Sequence, residues 1–377
     1  MSGRPVRHVR QRGFALLMVL GALVVLALLA GATATTVARL RAAAAQQQAQ
    51  VLGGIDAYST EQTLLFMLAT QRMTFGGLTV NNTMVMNAQD QAMQMQMQAQ
   101  PGMPVISFTP VGNELRLDGT LYRGVGRADF ALQDDRGRLS PNWALPGMMQ
   151  GLMRELGVPI EERGKLTDRL RDYQDSGDLP LLNGAEAPAY AARKLPPPPD
   201  RPLLTPYELL RVMSWGKYLA PWGYSGITRN LTVARNVSIN VNTASLRVLE
   251  TVPGVTPDQA KRVLAMRALA PLSSYPEAQV LLPSIPPDSG LLSLYPSSSG
   301  TLEIWPGEGS AGWLVHYTLT PFENDGSPWR IDYALRLARP LQTDVAVVRA
   351  MGAALLAGPL FPQPAGTAAA ASGARGN

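Results

Sequence analysis

"RGFALLMVLGALVVLALLAGATATT", residues 12–36, sets how the rest of this chain is to be read. From Phe14 to Ala32 no side chain is charged or strongly polar, and a bilayer-spanning helix needs about 20 such residues. Arg4, Arg7, Arg10 and Arg12 precede the run with no acidic residue among them. That asymmetry puts the N-terminus in the cytoplasm and the body across the membrane. Residues 33–72 stay rich in Ala, Gln and Leu and contain no proline, so helix is expected to continue well beyond the apolar run. Gly53-Gly54 is the point where it should bend or break.

Three interpretations fit the N-terminus. Ala32-Thr33-Ala34 could end a secretory signal peptide, and the run alone would suffice for a plain signal anchor. The third starts from Gly13-Phe14, a glycine and then the phenylalanine that opens the apolar stretch behind a short basic leader. This resembles the type IV prepilin signal and implies cleavage after Gly13, methylation of the new N-terminal Phe14 and retention of the helix. The expected long helix favours it. Pilins and pseudopilins commonly carry Glu as the fifth mature residue; here that position is Met18. Such a subunit cannot make the usual charge pair with a neighbour beyond it.

The chain has 377 residues, 33 basic against 28 acidic, for a formal charge of +5. Four of those positive charges lie in the leader, so the body is close to neutral and unlike a nucleic-acid binder. Cysteine is absent, which excludes disulfides, thiolate metal sites and cysteine nucleophiles. Of two histidines, His8 is in the leader and His316 stands alone in the body, so acid–base and zinc chemistry have little to work with. No enzymatic activity is expected.

Residues 76–103 are rich in Met, Asn and Gln and read as a flexible insertion. From Val105 to Gln133 apolar and polar residues alternate, with turns at Gly112-Asn113 and Asp118-Gly119, predicting short antiparallel strands. Residues 148–170 have the period of two helices separated by Gly157-Val158-Pro159. Thr205, Pro206 and Glu208 form a capping-box pattern for a helix over 206–213. Strand alternation returns over 301–338, and residues 359–377 have the composition of a disordered tail.

Asp172, Asp175 and Asp178, then Asn183-Gly184-Ala185-Glu186, bring oxygen ligands together around a glycine. Such a set suits a hard cation, but the same residues also make solvated turns and caps. "NVNTASLRVLETVPGVTPDQAKRVLAMRA", residues 240–268, predicts a helix-hairpin-helix. Thr243 or Asn242 caps its first helix, Gly254 serves a tight hairpin, and Thr256 caps the second ahead of Pro257. Asn240, Asn242 and Thr243 match the N-x-N-T-A of competence DNA receptors. Arg247, Lys261, Arg262 and Arg267 against Glu250 and Asp258 leave too small a basic excess for phosphate binding, which favours packing.

Taken in order, the prepilin site with Met18, the loosely spaced Asp135, Gly137, Arg138 and Asn142, the acidic "NGAE" segment and the "NVNTA" module resemble the protein K family of type II secretion minor pseudopilins. The resemblance implies an α+β fold. A long pilin-like N-terminal helix and a small antiparallel sheet hold a large inserted α-helical domain with a helix-hairpin-helix, SAM-like module. It divides the chain into a leader (1–13), the transmembrane pilin helix (14–75), first strands with the Met/Gln insertion (76–140), inserted helices (141–297), last strands (298–345) and a tail (346–377). It further implies a non-catalytic subunit at the tip of the pseudopilus, anchored once in the bacterial inner membrane with its body in the periplasm. Its partners would be the I- and J-type minor pseudopilins, the major pseudopilin and the prepilin peptidase, with no nucleic acid. Structural Ca2+ on Asp172, Asp175, Asp178 and Glu186 is also implied. The alternative is a membrane-anchored periplasmic DNA receptor.

Overall fold

The computed structural model describes residues 12–80, 108–307, 310–321 and 326–337. Most of the Met/Gln-rich insertion, the first eleven residues and the chain beyond Leu337 lie outside the described residues. Two compact units divide the chain, Met1–Gly54 and Ile55–Asn377.

In the first unit the described structure is helix α1 (Arg12–Thr70), which also supplies the first residues of the second. The large apolar side chains from Leu16 to Leu29 are all exposed. The helix is long and apolar enough to cross a membrane, with a mean hydropathy of 2.6 in its most apolar stretch. It is not interrupted at Gly53-Gly54, the expected break: the helix runs through the pair. A helical glycine costs only about 1 kcal/mol relative to alanine, and good helix formers on both sides carry the hydrogen-bond ladder through the pair.

The second unit is built on two small sheets. The first contains β1 (Met73–Thr74), β2 (Gly77–Thr79) and β3 (Glu114–Leu115). The second has β4 (Asp118–Arg123), β5 (Asp129–Asp134), β8 (Ser299–Trp305), β9 (Gly312–Leu319) and β10 (Trp329–Leu337) in the order β10-β9-β8-β5-β4, antiparallel throughout. Asp118-Gly119 is not the expected turn: it opens β4, where the register against β5 shifts before Leu121. Ala57, Leu64, Leu65, Met67 and Leu68 of α1 pack on Phe130, Leu132, Leu302, Ile304 and Tyr317 of one sheet face. Polar links fix the register of that packing: Thr60 Oγ1 accepts the Val125 N–H at 3.0 Å, and Trp313 Nε1 donates to Glu61 at 2.7 Å.

Strands β5 and β8 are hydrogen-bonded neighbours, yet the whole helical insertion lies between them in sequence. It comprises α2 (Pro146–Glu155), α3 (Ile160–Gln174), α4 (Ala187–Ala191), α5 (Trp215–Leu219), α6 (Gly223–Asn230), α7 (Leu246–Thr251), α8 (Pro257–Leu269) and α9 (Tyr275–Leu281). β6 (Ile239–Asn240) and β7 (Leu292–Ser293) pair in parallel within it. Its core includes Met148, Leu152, Leu209, Val248, Leu249 and the fully buried Trp215, whose indole donates to the Leu166 carbonyl at 2.9 Å. This is the expected α+β arrangement: pilin-like helix, antiparallel sheet and an inserted helical region. The expected 206–213 helix is instead a 3₁₀ segment, Pro206–Arg211, and Thr205 makes no side-chain cap. Arg201 forks onto the Glu208 carboxylate at 3.0 and 3.3 Å, which takes that group away from the cap.

Candidate functional site

Where β5 ends, the backbone turns sharply through a 3₁₀ segment, Asp135–Gly137. Two adjacent carboxylates sit at this corner, both buried. Asp134 accepts at one oxygen from the Ser297 and Arg136 N–H groups (2.8 and 3.1 Å) and at the other from Asn240 Nδ2 (3.0 Å) and Thr243 Oγ1 (2.8 Å). Burial pushes its pKa up against those donors. Asp135 takes Arg138 at 2.6 Å and Thr232 at 2.8 Å on one oxygen, and Ser299 at 2.5 Å and His316 Nε2 at 2.9 Å on the other. For Asp135 burial is outweighed by the charges of Arg138 and His316, which hold its carboxyl well below the usual range.

His316, the body's lone histidine, is therefore a strut. Its Nδ1 lies 2.8 Å from Asp332 Oδ2 on β10, and its ring stacks on Tyr333 at 4.7 Å. Both neighbours of the ring are carboxylates, and ionised carboxylates only accept. Both nitrogens must donate, so the ring is an imidazolium. Burial disfavours that charge, but Asp135 and Asp332 override it and raise the pKa.

The "NVNTA" residues serve this corner and the walls beside it. Asn240 and Thr243 bind Asp134, as given above. Asn242 Nδ2 donates to the carbonyls of Leu272 (2.9 Å) and Leu294 (3.1 Å), and its Oδ1 accepts the Leu272 N–H at 2.8 Å. Neither Asn242 nor Thr243 caps the first hairpin helix; Ser245 does, accepting from the Val248 N–H at 3.2 Å. The expected cap fails because both side chains are already committed elsewhere. Thr256 caps the second helix with Gln259 in a reciprocal box, as its sequence predicts. Gly254 has φ +87°, the conformation its hairpin requires. Of the module's cations, Arg267 is inward, donating to the carbonyls of Val241 (3.0 Å) and Ala244 (2.5 Å).

The "DDRGR" residues have a matching account. A Cβ on Gly137 would lie 2.8 Å from the Thr243 carbonyl oxygen and 2.6 Å from Gln133 Nε2, so only glycine lets the corner and the "NTA" loop approach. Asn142 bridges Leu203, Val233 and Gln174. Asp134 was not singled out from sequence, nor was Asp332. The signal available was a lone histidine inside an alternating strand, which had to find carboxylates or stay neutral.

In the acidic loop, Asp172 is fully buried at the end of α3 and accepts the N–H groups of Leu181 (3.2 Å) and Ala185 (2.8 Å). Asp175 accepts from Gly177 at 3.0 Å. Glu186 is buried, and its Oε1 has no hydrogen-bond partner. Burial, then the charges of Asp172, Asp175, Asp200 and Asp178, push its carboxyl up. Among the described residues no three carboxylates or histidines converge as a formed metal cage. Tyr190, also buried, accepts the Met213 N–H through its hydroxyl at 3.0 Å. Met18 is on α1 and 64% exposed; Gly13 is within the helical backbone of α1, and Phe14 follows it there.

Residues 131–220 match the family model described as type II secretion system (T2SS), protein K, and residues 234–274 match the helix-hairpin-helix motif. The first match is a homology to protein K that begins inside β5 and runs past α5. Among solved structures, the chain is similar to one from the GspK-GspI-GspJ complex of the enterotoxigenic Escherichia coli type 2 secretion system. The two share 14% identity at a TM-score of 0.42, covering 80% of this chain and 100% of that one. No curated protein matches it in sequence.

Proposed function

We infer that this chain is a protein K-type minor pseudopilin, a non-catalytic subunit of the type II secretion pseudopilus that takes part in export of folded proteins. The observation that carries this is where the protein K match falls. It starts in the sheet strand that gives way to the insertion, and it contains both the Asp134–Arg138 corner and the acidic loop. The helix-hairpin-helix supports the same reading. Asn240, Asn242 and Thr243, the residues it shares with competence receptors, are buried and spend their side chains inside the molecule. A DNA-receptor role has no such support.

The rest of the role follows from the sequence. The basic leader places the N-terminus in the cytoplasm and the body in the periplasm, with α1 as the single inner-membrane anchor. Prepilin peptidase would cut between Gly13 and Phe14, and Phe14 would be methylated. I- and J-type minor pseudopilins and then the major pseudopilin would assemble with it. Met18, in place of a carboxylate, fits a subunit with nothing added above it, at the tip.

Calcium belongs to the same proposal. What supports it is the buried Glu186 Oε1 without a hydrogen-bond partner, on a carboxyl pushed up by burial and by Asp172, Asp175, Asp200 and Asp178. Asp175, Asp178 and Glu186 would hold the ion, beside Asp172, whose oxygens already order the loop backbone. The ion would supply charge neutralisation and tie the loop to α4. Calcium at 100 times its dissociation constant should stabilise the fold by about 2.7 kcal/mol, seen as a raised Tm that chelator reverses. An unchanged Tm would remove calcium from the proposal.

Function is tested by deletion in the native host. Type II substrates should accumulate in the periplasm and return to the medium on complementation. Normal secretion without the chain would overturn the assignment.

A further inference from the structure

Beside the corner lies a cavity of about 560 Å³, distinct from the acidic loop and from the two hairpin helices. That size is within the roughly 300–1,000 Å³ of ligand clefts. Its walls come from the β5 corner, the 233–238 segment ahead of β6 and the first hairpin helix, the Ser297–Ser299 return and the start of β10. Three guanidinium-bearing residues line it: Arg136, Arg235 and Arg330. Asp332 is the one carboxylate in the lining, and it is already shared among His316, Thr318 and Arg330 at 2.8, 2.6 and 2.8 Å.

That leaves an imbalance of charge. Arg136 donates to the Tyr295 carbonyl at 3.1 Å, and Arg235 lies over the Trp143 ring at 5.2 Å. Neither makes an ion pair among the described residues. Val233 and Val237 bring an apolar surface next to these cations, and Val237 is 50% exposed. β10 is the last strand in the sheet order and pairs only with β9 among the described residues, so an extended chain has backbone groups to meet beside the cavity.

We propose that this cavity is a docking site for an acidic peptide segment, with its carboxylate taken by Arg136 and Arg235 and its apolar neighbour set against Val233 and Val237. The charge selects the ligand class: an oxyanion satisfies Arg136 and Arg235, which pair with no carboxylate among the described residues. The apolar wall and the strand edge select a peptide over a free anion. A partner subunit with an acidic extended segment would present such a ligand.

Fluorescence anisotropy on the full chain in uncharged detergent micelles tests this, with a short labelled peptide of alternating Leu and Glu as probe. The Glu peptide should bind at least about tenfold more tightly than its Gln counterpart, and salt above ~0.15 M should weaken it. Arg235→Gln, at an exposed position, should cost about tenfold, the worth of one charge-assisted hydrogen bond. Arg262→Gln, on the exposed surface of α8, should change nothing. Equal binding of the Gln peptide would overturn the proposal. So would an Arg262→Gln loss equal to that of Arg235→Gln, or displacement of the probe by inorganic phosphate as readily as by unlabelled Glu peptide. None of these readouts depends on the secretion role.

Discussion

The hairpin module and the Asp134–Arg138 corner are both fixed by side chains that bind backbone or one another, but over very different distances along the chain. Ser245 reaches Val248, and Thr256 exchanges bonds with Gln259, three residues away in each case. At the corner, Asp134 is bound by Asn240, Thr243 and Ser297, and Asp135 by Thr232, Ser299 and His316, which lies 181 residues on. Local caps are worth about 1 kcal/mol each and fold with their own helix. The corner ties the sheet, the hairpin module and the returning strand to two buried carboxylates, so its loss leaves charge in a dry interior.

The largest effect should therefore come at the corner. Arg138→Ala removes the buried partner of an Asp135 that stays buried, which should cost about 3–5 kcal/mol in urea unfolding. A cost no larger than that of a helix cap would erase the distinction between the two regions.

His316 gives the corner a pH signature that the hairpin lacks. A histidine with a raised folded pKa contributes its full stability below the unfolded value near 6.5, and this is lost as pH rises through the folded value. The lowered carboxyls of Asp135 and Asp332 keep the pair intact down to strongly acid pH. Tm should fall as pH rises above about 6.5, and His316→Gln should flatten that slope. An unchanged slope would mean the ring is neutral.

Smaller effects should come from the hairpin. Gly254→Ala places a side chain at φ +87°, a left-handed conformation costing about 1–2 kcal/mol. Thr256→Ala loses one cap, about 1 kcal/mol. If Thr256→Ala and Arg138→Ala proved equally costly, the module would be as deeply built in as the corner.

The same difference of range explains what could be read from sequence. Thr256, Pro257 and Gly254 act within a few residues, and their roles were legible. So were the two helices around Gly157-Val158-Pro159 and the alternating strands from Ser299 to Leu337. Asn242 and Thr243 were misassigned as caps because their partners, Leu272, Leu294 and Asp134, are brought near only by the fold. Glu208 was likewise taken from its cap by Arg201. Gly53-Gly54 looked like a break because propensity alone cannot weigh two glycines against a long run of helix formers. The α+β arrangement could be read because each part carries its own period. The cavity could not: Arg136, Arg235 and Arg330 are separated by about a hundred residues at each step, and only the return of β8 beside β5 brings them to one wall.

The central claim is that this chain is processed and assembled as a pseudopilin. Mass spectrometry of the mature N-terminus, on protein from cells that contain a prepilin peptidase, tests it most directly. A chain starting at N-methylated Phe14, with α1 intact behind it, is the expected result. A chain starting near Thr35, with the apolar helix removed, would contradict it.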